Sequence, residues 1–278
     1  MEAPNLMQIF GSYSAWKATE DTWFIIFMGG SQCMYLLEGE EKALLIDTGW
    51  GAGNVRAFVE RLTDKPILVA NTHFHPDHAG SNGEFPSVMV APGYVRDLGA
   101  LKKVPFDISK LPYPDYEKVV LHDGDIIDLG GRQIEVMELL PAHCHSSLFF
   151  FDRAQGLMFV GDDLESTQVL MYTDSTDNIN QRLSNARANY MRLKEVEDQI
   201  KMLIPNHNGF PIALSYIDDH IGLIDHIYAG DAIVEEKLNH PYVDQDPIAP
   251  LLCRVRWNKA SFFMYREDVK KVYGTRAL

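Results

Sequence analysis

Residues 71–80 read NTHFHPDHAG and concentrate three imidazoles and one carboxylate in a short stretch. They follow directly on a run of four apolar residues, which is typical of a strand buried on both faces. Side chains two residues apart in extended backbone point to the same side, so His73 and His75 can bind one metal ion together. Asp77 and His78 lie just past the end of that strand, where a loop can turn them towards a second ion. The stretch therefore predicts a metal site rather than a set of surface histidines.

Three later segments carry the same kind of side chain. They read PAHCHSS at 141–147, GDD at 161–163 and PNHNG at 205–209. Each one places a histidine or an aspartate just beyond the end of an apolar run that we expect to be a strand. A single edge of a β-sandwich can collect all of these side chains together with the first cluster.

The wider pattern of the chain predicts two β-sheets that face each other, with helices outside them. Short apolar runs separated by Gly and Asp turns indicate strands, and apolar residues at helical spacing indicate helices. We expect strands at 24–27, 34–37, 43–46, 67–70, 118–121, 133–140, 147–151, 157–160 and 203–205, and helices at 54–62, 179–202 and 213–228.

From about residue 24 to 210 the chain resembles the metallo-β-lactamase superfamily of dinuclear metal hydrolases. The motifs above, together with LIDTG at 45–49, stand in the order found in that family. The resemblance implies an α/β fold of the α+β kind, a four-layer αββα sandwich at 1–210, with 211–278 as a helical C-terminal extension packed on the same domain. It implies that one metal ion is held by His73, His75 and His143 and a second by Asp77, His78 and His207, that Asp162 bridges the two, and that Asp47 braces the metal-binding loop.

The resemblance also implies a reaction. A hydroxide bridging two divalent ions would attack a carbonyl carbon, with Asp77 as the catalytic carboxylate that orients it or accepts its proton. Zn²⁺ suits these ligands best, although His and Asp also bind Fe and Mn. The substrates expected are small carboxylic esters, lactones or thioesters. β-Lactams are not expected, because β-lactamases of this family carry Cys or Ser at the position of Asp162. Tyr172 is the expected substrate contact, with Tyr190 as an alternative.

Several residue assignments stay open at this point. His145 can replace His143 as a ligand, although Ser147 then no longer matches the serine that ends the family motif. Asp163 can replace Asp162 as the bridging carboxylate, and the Gly-Asp order favours Asp162. A thiolate ligand is the alternative for Cys144, which we expect to be a packed neutral thiol instead.

Two further interpretations compete with hydrolysis. The first is a mononuclear non-haem iron oxidoreductase that resembles persulfide dioxygenases and needs only the first group of ligands. The second is a non-catalytic, metal-stabilised binding module, which the intact ligand set disfavours. The acidic and histidine residues between 218 and 226 can form another metal site, but on an amphipathic helix we expect them to be its solvated face.

The composition of the chain indicates whether it folds, what it binds and where it is located. The 278 residues carry 25 basic and 39 acidic side chains, a formal net charge of −14, and 46% of them are hydrophobic. Such a chain can bury a core, and its acidity argues against nucleic acid or an anionic membrane as a partner. No apolar run approaches the ~20 residues of a membrane span, and no signal peptide is visible. Three cysteines without a C-x-x-C pair indicate a reduced, cytoplasmic protein. We expect a small-molecule substrate, and a homodimer stays open.

Overall fold

The computed structural model describes residues 7–10, 13–27, 32–51, 53–94, 116–171, 178–236, 238 and 249–273. The described helices are α1 (Val55–Val59), α2 (Pro76–Ala79), α3 (Ile179–Glu195), α4 (Ser215–Ala229) and α5 (Arg266–Tyr273). The described strands are β1 (Met7–Phe10), β2 (Tyr13–Thr19), β3 (Thr22–Phe27), β4 (Cys33–Glu38), β5 (Ala43–Ile46), β6 (Ile67–Ala70), β7 (Ser87–Val90), β8 (Glu117–Val120), β9 (Ile126–Asp128), β10 (Gln133–Glu138), β11 (Leu148–Asp152), β12 (Leu157–Gly161), β13 (Val169–Leu170), β14 (Met202–Pro205), β15 (Ile233–Glu235), β16 (Leu252–Trp257) and β17 (Ala260–Tyr265).

These strands form three sheets. The first runs β1 to β8 in chain order, antiparallel as far as β5 and parallel from β5 to β8. The second has the order β14-β12-β11-β10-β9, with β14 parallel to β12. The third is smaller and has the order β13-β17-β16-β15.

Successive side chains of a strand point to opposite faces of its sheet, so each sheet packs on a different layer on each side. In β4, Met34 packs on the outer face of the first sheet with α1, whereas Tyr35 points between the two large sheets. In β11, Phe150 fills that same space, whereas Phe149 and Phe151 pack outwards against α3 and α4. The layers are therefore helix, sheet, sheet and helix, and the predicted αββα sandwich of the α/β class is confirmed.

The region after residue 210 differs from the helical extension that we expected. The expected helix exists as α4, but β16 and β17 follow it as an antiparallel hairpin that pairs with β15 and β13. The reason lies in the sequence from 253 to 256, where buried Cys253 and Val255 alternate with the half-buried Arg254 and Arg256. That is the period of a strand, not of a helix.

The predicted helix at 179–202 ends early, at Glu195. A 3₁₀ turn at Glu197–Gln199 redirects the chain so that β14 can lie parallel to β12. β12, β14 and β6 all end at one edge of the sandwich. The predicted site residues follow directly after these three strand ends. Among the described residues, none of the helices is both long and apolar enough to cross a membrane.

Candidate metal centre

The structure brings the seven predicted ligand side chains together at one edge of the sandwich. Their ligand atoms form two groups, and within each group all the atoms lie within 4.8 Å of one another. Asp162 belongs to both groups. The first contains His73, His75, His143 and Asp162, and the second contains Asp77, His78, Asp162 and His207.

In the first group, three imidazoles face one another. His75 Nδ1 lies 3.0 Å from His73 Nε2 and 3.1 Å from His143 Nε2. His143 Nδ1 lies 2.9 Å from the carbonyl oxygen of Leu170, and because a carbonyl only accepts, the proton of this ring is on Nδ1. Burial, reinforced by the neighbouring His75, lowers the pKa of His143 to about 3. Its Nε2 therefore directs a lone pair towards the other ring nitrogens at neutral pH.

The second group mixes imidazoles with carboxylates. Asp162 Oδ2 lies 3.3 Å from His78 Nε2 and 3.4 Å from His207 Nε2, and Asp77 Oδ2 lies 3.1 Å from His207 Nε2. Burial alone would lower the pKa of His207, but the charge of Asp162 and the hydrogen bond to Asp77 raise it to about 9. Burial opposes ionisation of Asp77, yet the adjacent His78 and His207 hold its pKa well below the usual value. The carboxylates are thus anions at neutral pH.

The donor set fits divalent metal ions. Imidazole nitrogens and carboxylate oxygens bind Zn²⁺, iron and manganese, and a bound cation would displace the proton that the raised pKa of His207 keeps on its ring at neutral pH. Asp162 Oδ1 is buried and has no hydrogen-bond partner among the described residues, which is the condition of an oxygen that needs a cation. The residues present therefore match two adjacent cation sites that share one aspartate.

Asp47 lies behind the second group and fixes it. Its Oδ2 accepts hydrogen bonds from His78 Nδ1 at 2.8 Å and from Asn206 Nδ2 at 2.7 Å. Its carboxylate also accepts from the backbone N–H and the hydroxyl of Thr72, both at 2.7 Å. Because Nδ1 of His78 is engaged, Nε2 is the atom left to bind a metal. Asn206 was not foreseen as part of this network.

The rival ligands lie outside both groups. The carboxylate of Asp163 turns away and accepts from the backbone N–H of His143 at 3.4 Å. The thiol of Cys144 is buried and donates to the carbonyl of Ser146 at 3.4 Å, which fits a packed thiol. His145 belongs to neither group.

Tyr172 lies outside the described residues. Tyr190 is buried on α3 and donates to the backbone carbonyl of Asp163 at 2.6 Å, so it holds the segment next to Asp162 and is not exposed to a substrate. On α4, Asp218 and Asp225 are exposed, but Asp219 and His220 are buried, so the expectation of a wholly solvated face is wrong. The described residues form no metal group on that helix.

A polar stripe on α3 was also missed. Arg182 donates to the carbonyls of Ala142 and His143 at 2.7 and 3.0 Å, and Asn185 donates to that of Pro141 at 2.8 Å. Asn189 is bonded to both the N–H and the carbonyl of Leu140. The three polar residues at helical positions 182, 185 and 189 share one face, and that spacing was the available signal.

Fold and site together define an αββα protein with paired metal-binding clusters on one edge. The sequence model described as "Metallo-beta-lactamase superfamily" matches residues 29–207. The chain belongs to the metallo-β-lactamase superfamily and is a metal-dependent hydrolase of that family.

Two curated relatives and one solved structure show the range of similar proteins. The acyl-coenzyme A thioesterase MBLAC2 of Bos taurus is 25% identical over 211 residues, 64% of this chain and 74% of that protein. The hydroxyacylglutathione hydrolase of Erythrobacter litoralis is 33% identical over 94 residues, 34% of this chain and 32% of that protein. A β-lactamase domain protein from Burkholderia ambifaria has a TM-score of 0.61 at 17% identity, and the match covers 78% of each chain, which shows the fold alone.

Proposed function

We propose that this protein is a dinuclear metal hydrolase that cleaves acyl thioesters, with small carboxylic esters and lactones as related substrates. The observation that carries the proposal is the pair of four-atom clusters that share Asp162. Two Zn²⁺ ions bound there would activate water near neutral pH and polarise the substrate carbonyl.

The ligand residues have different roles in the proposed reaction. His73, His75 and His143 supply ring nitrogens, and Asp162 belongs to both groups, where its charge would offset the repulsion between two cations. Asp77 stays ionised and only partly buried, so it can accept a hydrogen bond from the attacking water and orient it.

The substrate class follows from what the site has and lacks. Among the described residues of 71–83, none is Lys or Arg, so the anionic oxygens of a phosphodiester have no cationic side chain to hold them there. Esters, lactones and thioesters make no such demand, and the two curated relatives are named as hydrolases of acyl-coenzyme A and of hydroxyacylglutathione. These names support a thioester as the first substrate to test.

The test combines metal analysis with a substrate panel. Purified protein should hold two zinc ions per chain and hydrolyse an acyl-coenzyme A, an acylglutathione, an aryl ester and an acyl lactone faster than a phosphodiester or a penam. His207→Ala should lose one ion and most of the activity, whereas His122→Ala, which removes an exposed histidine that belongs to neither cluster, should lose neither. One iron per chain with oxygen consumption would instead support the dioxygenase alternative, and fastest turnover of the phosphodiester would contradict the carbonyl chemistry.

The proposal extends to the cellular setting. The three cysteines are free and buried, which is consistent with a reducing compartment, and we place the protein in the cytoplasm. Its partner is a small-molecule substrate rather than nucleic acid or a membrane.

A further inference from the structure

One carbonyl decides which nitrogen of His143 is free. Leu170 O lies 2.9 Å from His143 Nδ1 and can only accept, so it fixes the proton on Nδ1. Nε2 is then left facing His75 Nδ1 at 3.1 Å. A ring with the proton on Nε2 would present a hydrogen to the other imidazoles instead of a lone pair.

The orientation of that carbonyl comes from the third sheet. β13, which contains Leu170, is an edge strand that pairs in parallel with β17. The N–H of Met171 donates to the carbonyl of Phe263 at 2.8 Å. Because successive residues of a strand direct their polar groups to opposite sides, this bond directs the Leu170 carbonyl away from β17 and towards His143.

The hairpin also fixes the start of β13 through side chains. The hydroxyl of Ser261 and Nη2 of Arg254, the latter at 3.3 Å, both donate to the carbonyl of Thr167. Arg254 Nε in turn donates to Ser261 Oγ at 3.0 Å. In this clamp on the Thr167 carbonyl, Ser261 is buried, and the side chain of Arg254 covers it from the half-exposed side of the strand.

The main chain of His143 is fixed separately. Arg182 on α3 holds the carbonyl of His143, so the ring's remaining freedom is its rotation and its tautomer. The family match ends at residue 207, and the β16–β17 hairpin therefore lies outside the region that defines the superfamily.

We propose that the C-terminal β16–β17 hairpin is a positioning element of the first metal site, which fixes the tautomer and orientation of His143 through β13. Arg254 and Ser261 are its positioning residues. The proposal rests on the proposed function only in taking His143 Nε2 as a metal-binding atom.

The first experiment reads the tautomer directly in metal-free protein. Protein labelled with ¹⁵N-histidine is examined by long-range ¹H–¹⁵N correlation, and the His143 signal is assigned by its loss in His143→Gln. The expected result is an Nδ1–H ring with a slowly exchanging proton, and an Nε2–H ring would overturn the proposal. No metal or substrate is needed, so failure of the hydrolase proposal would leave this result readable.

The second experiment loosens the clamp. The double variant Arg254→Met/Ser261→Ala should bind the first Zn²⁺ about 10-fold more weakly, since partners behind a metal-ligating histidine have effects of about 10- to 100-fold on affinity. A chromophoric chelator competes for the ion, and a His207→Ala background isolates the first site while a His75→Ala background isolates the second. The second site should keep its affinity within about threefold.

Arg256→Met is the matched control, because Arg256 lies two residues along the same strand and donates to Glu235 rather than to Thr167. It should change neither affinity. An unchanged first site in the double variant, or equal weakening of both sites, would overturn the proposal. If the double variant does not fold, Ser261→Ala alone, which still removes one of the two bonds to the Thr167 carbonyl, replaces it in the affinity measurement.

Discussion

At the scale of single residues, one carboxylate joins the two clusters. Asp162 Oδ2 lies 3.8 Å from His73 Nε2 and 3.9 Å from His143 Nε2, and it is closer still to both histidines of the second group. Its neighbour Asp163 is just as buried but faces the backbone of His143. Two adjacent aspartates therefore have different surroundings, which the Gly-Asp-Asp sequence does not reveal by itself.

We predict that Asp162→Asn weakens binding of the second zinc ion about 10- to 100-fold and lowers kcat/KM, because an amide cannot offset the repulsion between two cations. Asp163→Asn should change the affinity less than about threefold. Zinc titration measures both variants, with circular dichroism as the check that each is folded. The opposite ranking would mean that Asp163 is the shared ligand.

At the scale of elements, the burial of polar residues on α4 depends on the hairpin that packs against this helix, not on the helix sequence. Asp219 and His220 are polar residues on an amphipathic helix, yet both are buried. The side chain of Asn258, in the turn between β16 and β17, donates to Asp219, and the ring of Phe262 in β17 lies 5.9 Å from that of His220. A hairpin that the sequence did not predict covers this face, so the solvated interpretation failed for a reason outside the helix.

The packing of the β16–β17 hairpin on α4 leaves no room for a side chain at Gly222. A Cβ at this position would lie 2.2 Å from Cζ3 of Trp257, whose ring stacks on His226 with centroids 4.6 Å apart. Gly→Ala in a helix interior normally stabilises by about 1 kcal/mol. Here overpacking should dominate, and we predict that Gly222→Ala lowers the free energy of unfolding by about 1–3 kcal/mol.

Urea unfolding tests this, with Trp257→Leu as the background that removes the clash. In that background Gly222→Ala should be neutral or stabilising. A loss of stability of the same size in both backgrounds would show that the indole is not the cause.

His220 gives α4 a pH dependence. Burial lowers its pKa to about 4, below the value near 6.5 of an unfolded chain, so the unfolded state binds the proton first as the pH falls. Stability from this group is therefore complete above about pH 7 and is lost between about pH 6.5 and 4, with a loss of about 2 kcal/mol at pH 5.

Among the described residues, the groups that contact His220 are uncharged: the rings of Tyr190, Tyr216 and Phe262 and the carbonyl of Tyr216. Unfolding free energies of the protein and of His220→Phe, compared at pH 8 and pH 5, isolate this contribution. A wild-type protein that loses no more stability than the variant would contradict it.

At the scale of the whole molecule, the sequence predicted the sandwich because its strands are strongly apolar and its motifs follow their ends. The phenylalanines of β11 and the His73 cluster after β6 are local signals of this kind. Two missed elements differ in this respect. β13 is only two residues long, too short to show a period, whereas β16 has the alternating burial of a strand over 253–256 and was wrongly taken as part of a helical extension. Asn206 acquires its role only when β14 meets Asp47.

The net charge of −14 leads to a prediction for the whole surface. Without a basic stripe to displace counterions, the protein should not bind duplex DNA or RNA at physiological salt. Fluorescence anisotropy with labelled duplexes measures this, and submicromolar binding would show that the charge distribution outweighs the net charge.

The parallel pairing of β12 with β14 has a consequence for folding kinetics. The two strands are joined through α3, so their contacts close a long loop, and His207 reaches Asp162 only after that closure. Contacts of this range are slow to form, and we expect this one to form after the folding barrier. An ion that needs both Asp162 and His207 stabilises the native state but not the transition state, in which the two are not yet together. Added zinc should therefore slow unfolding in proportion to its binding and leave the refolding rate unchanged, so that metal capture prolongs the lifetime of the fold without hastening its formation.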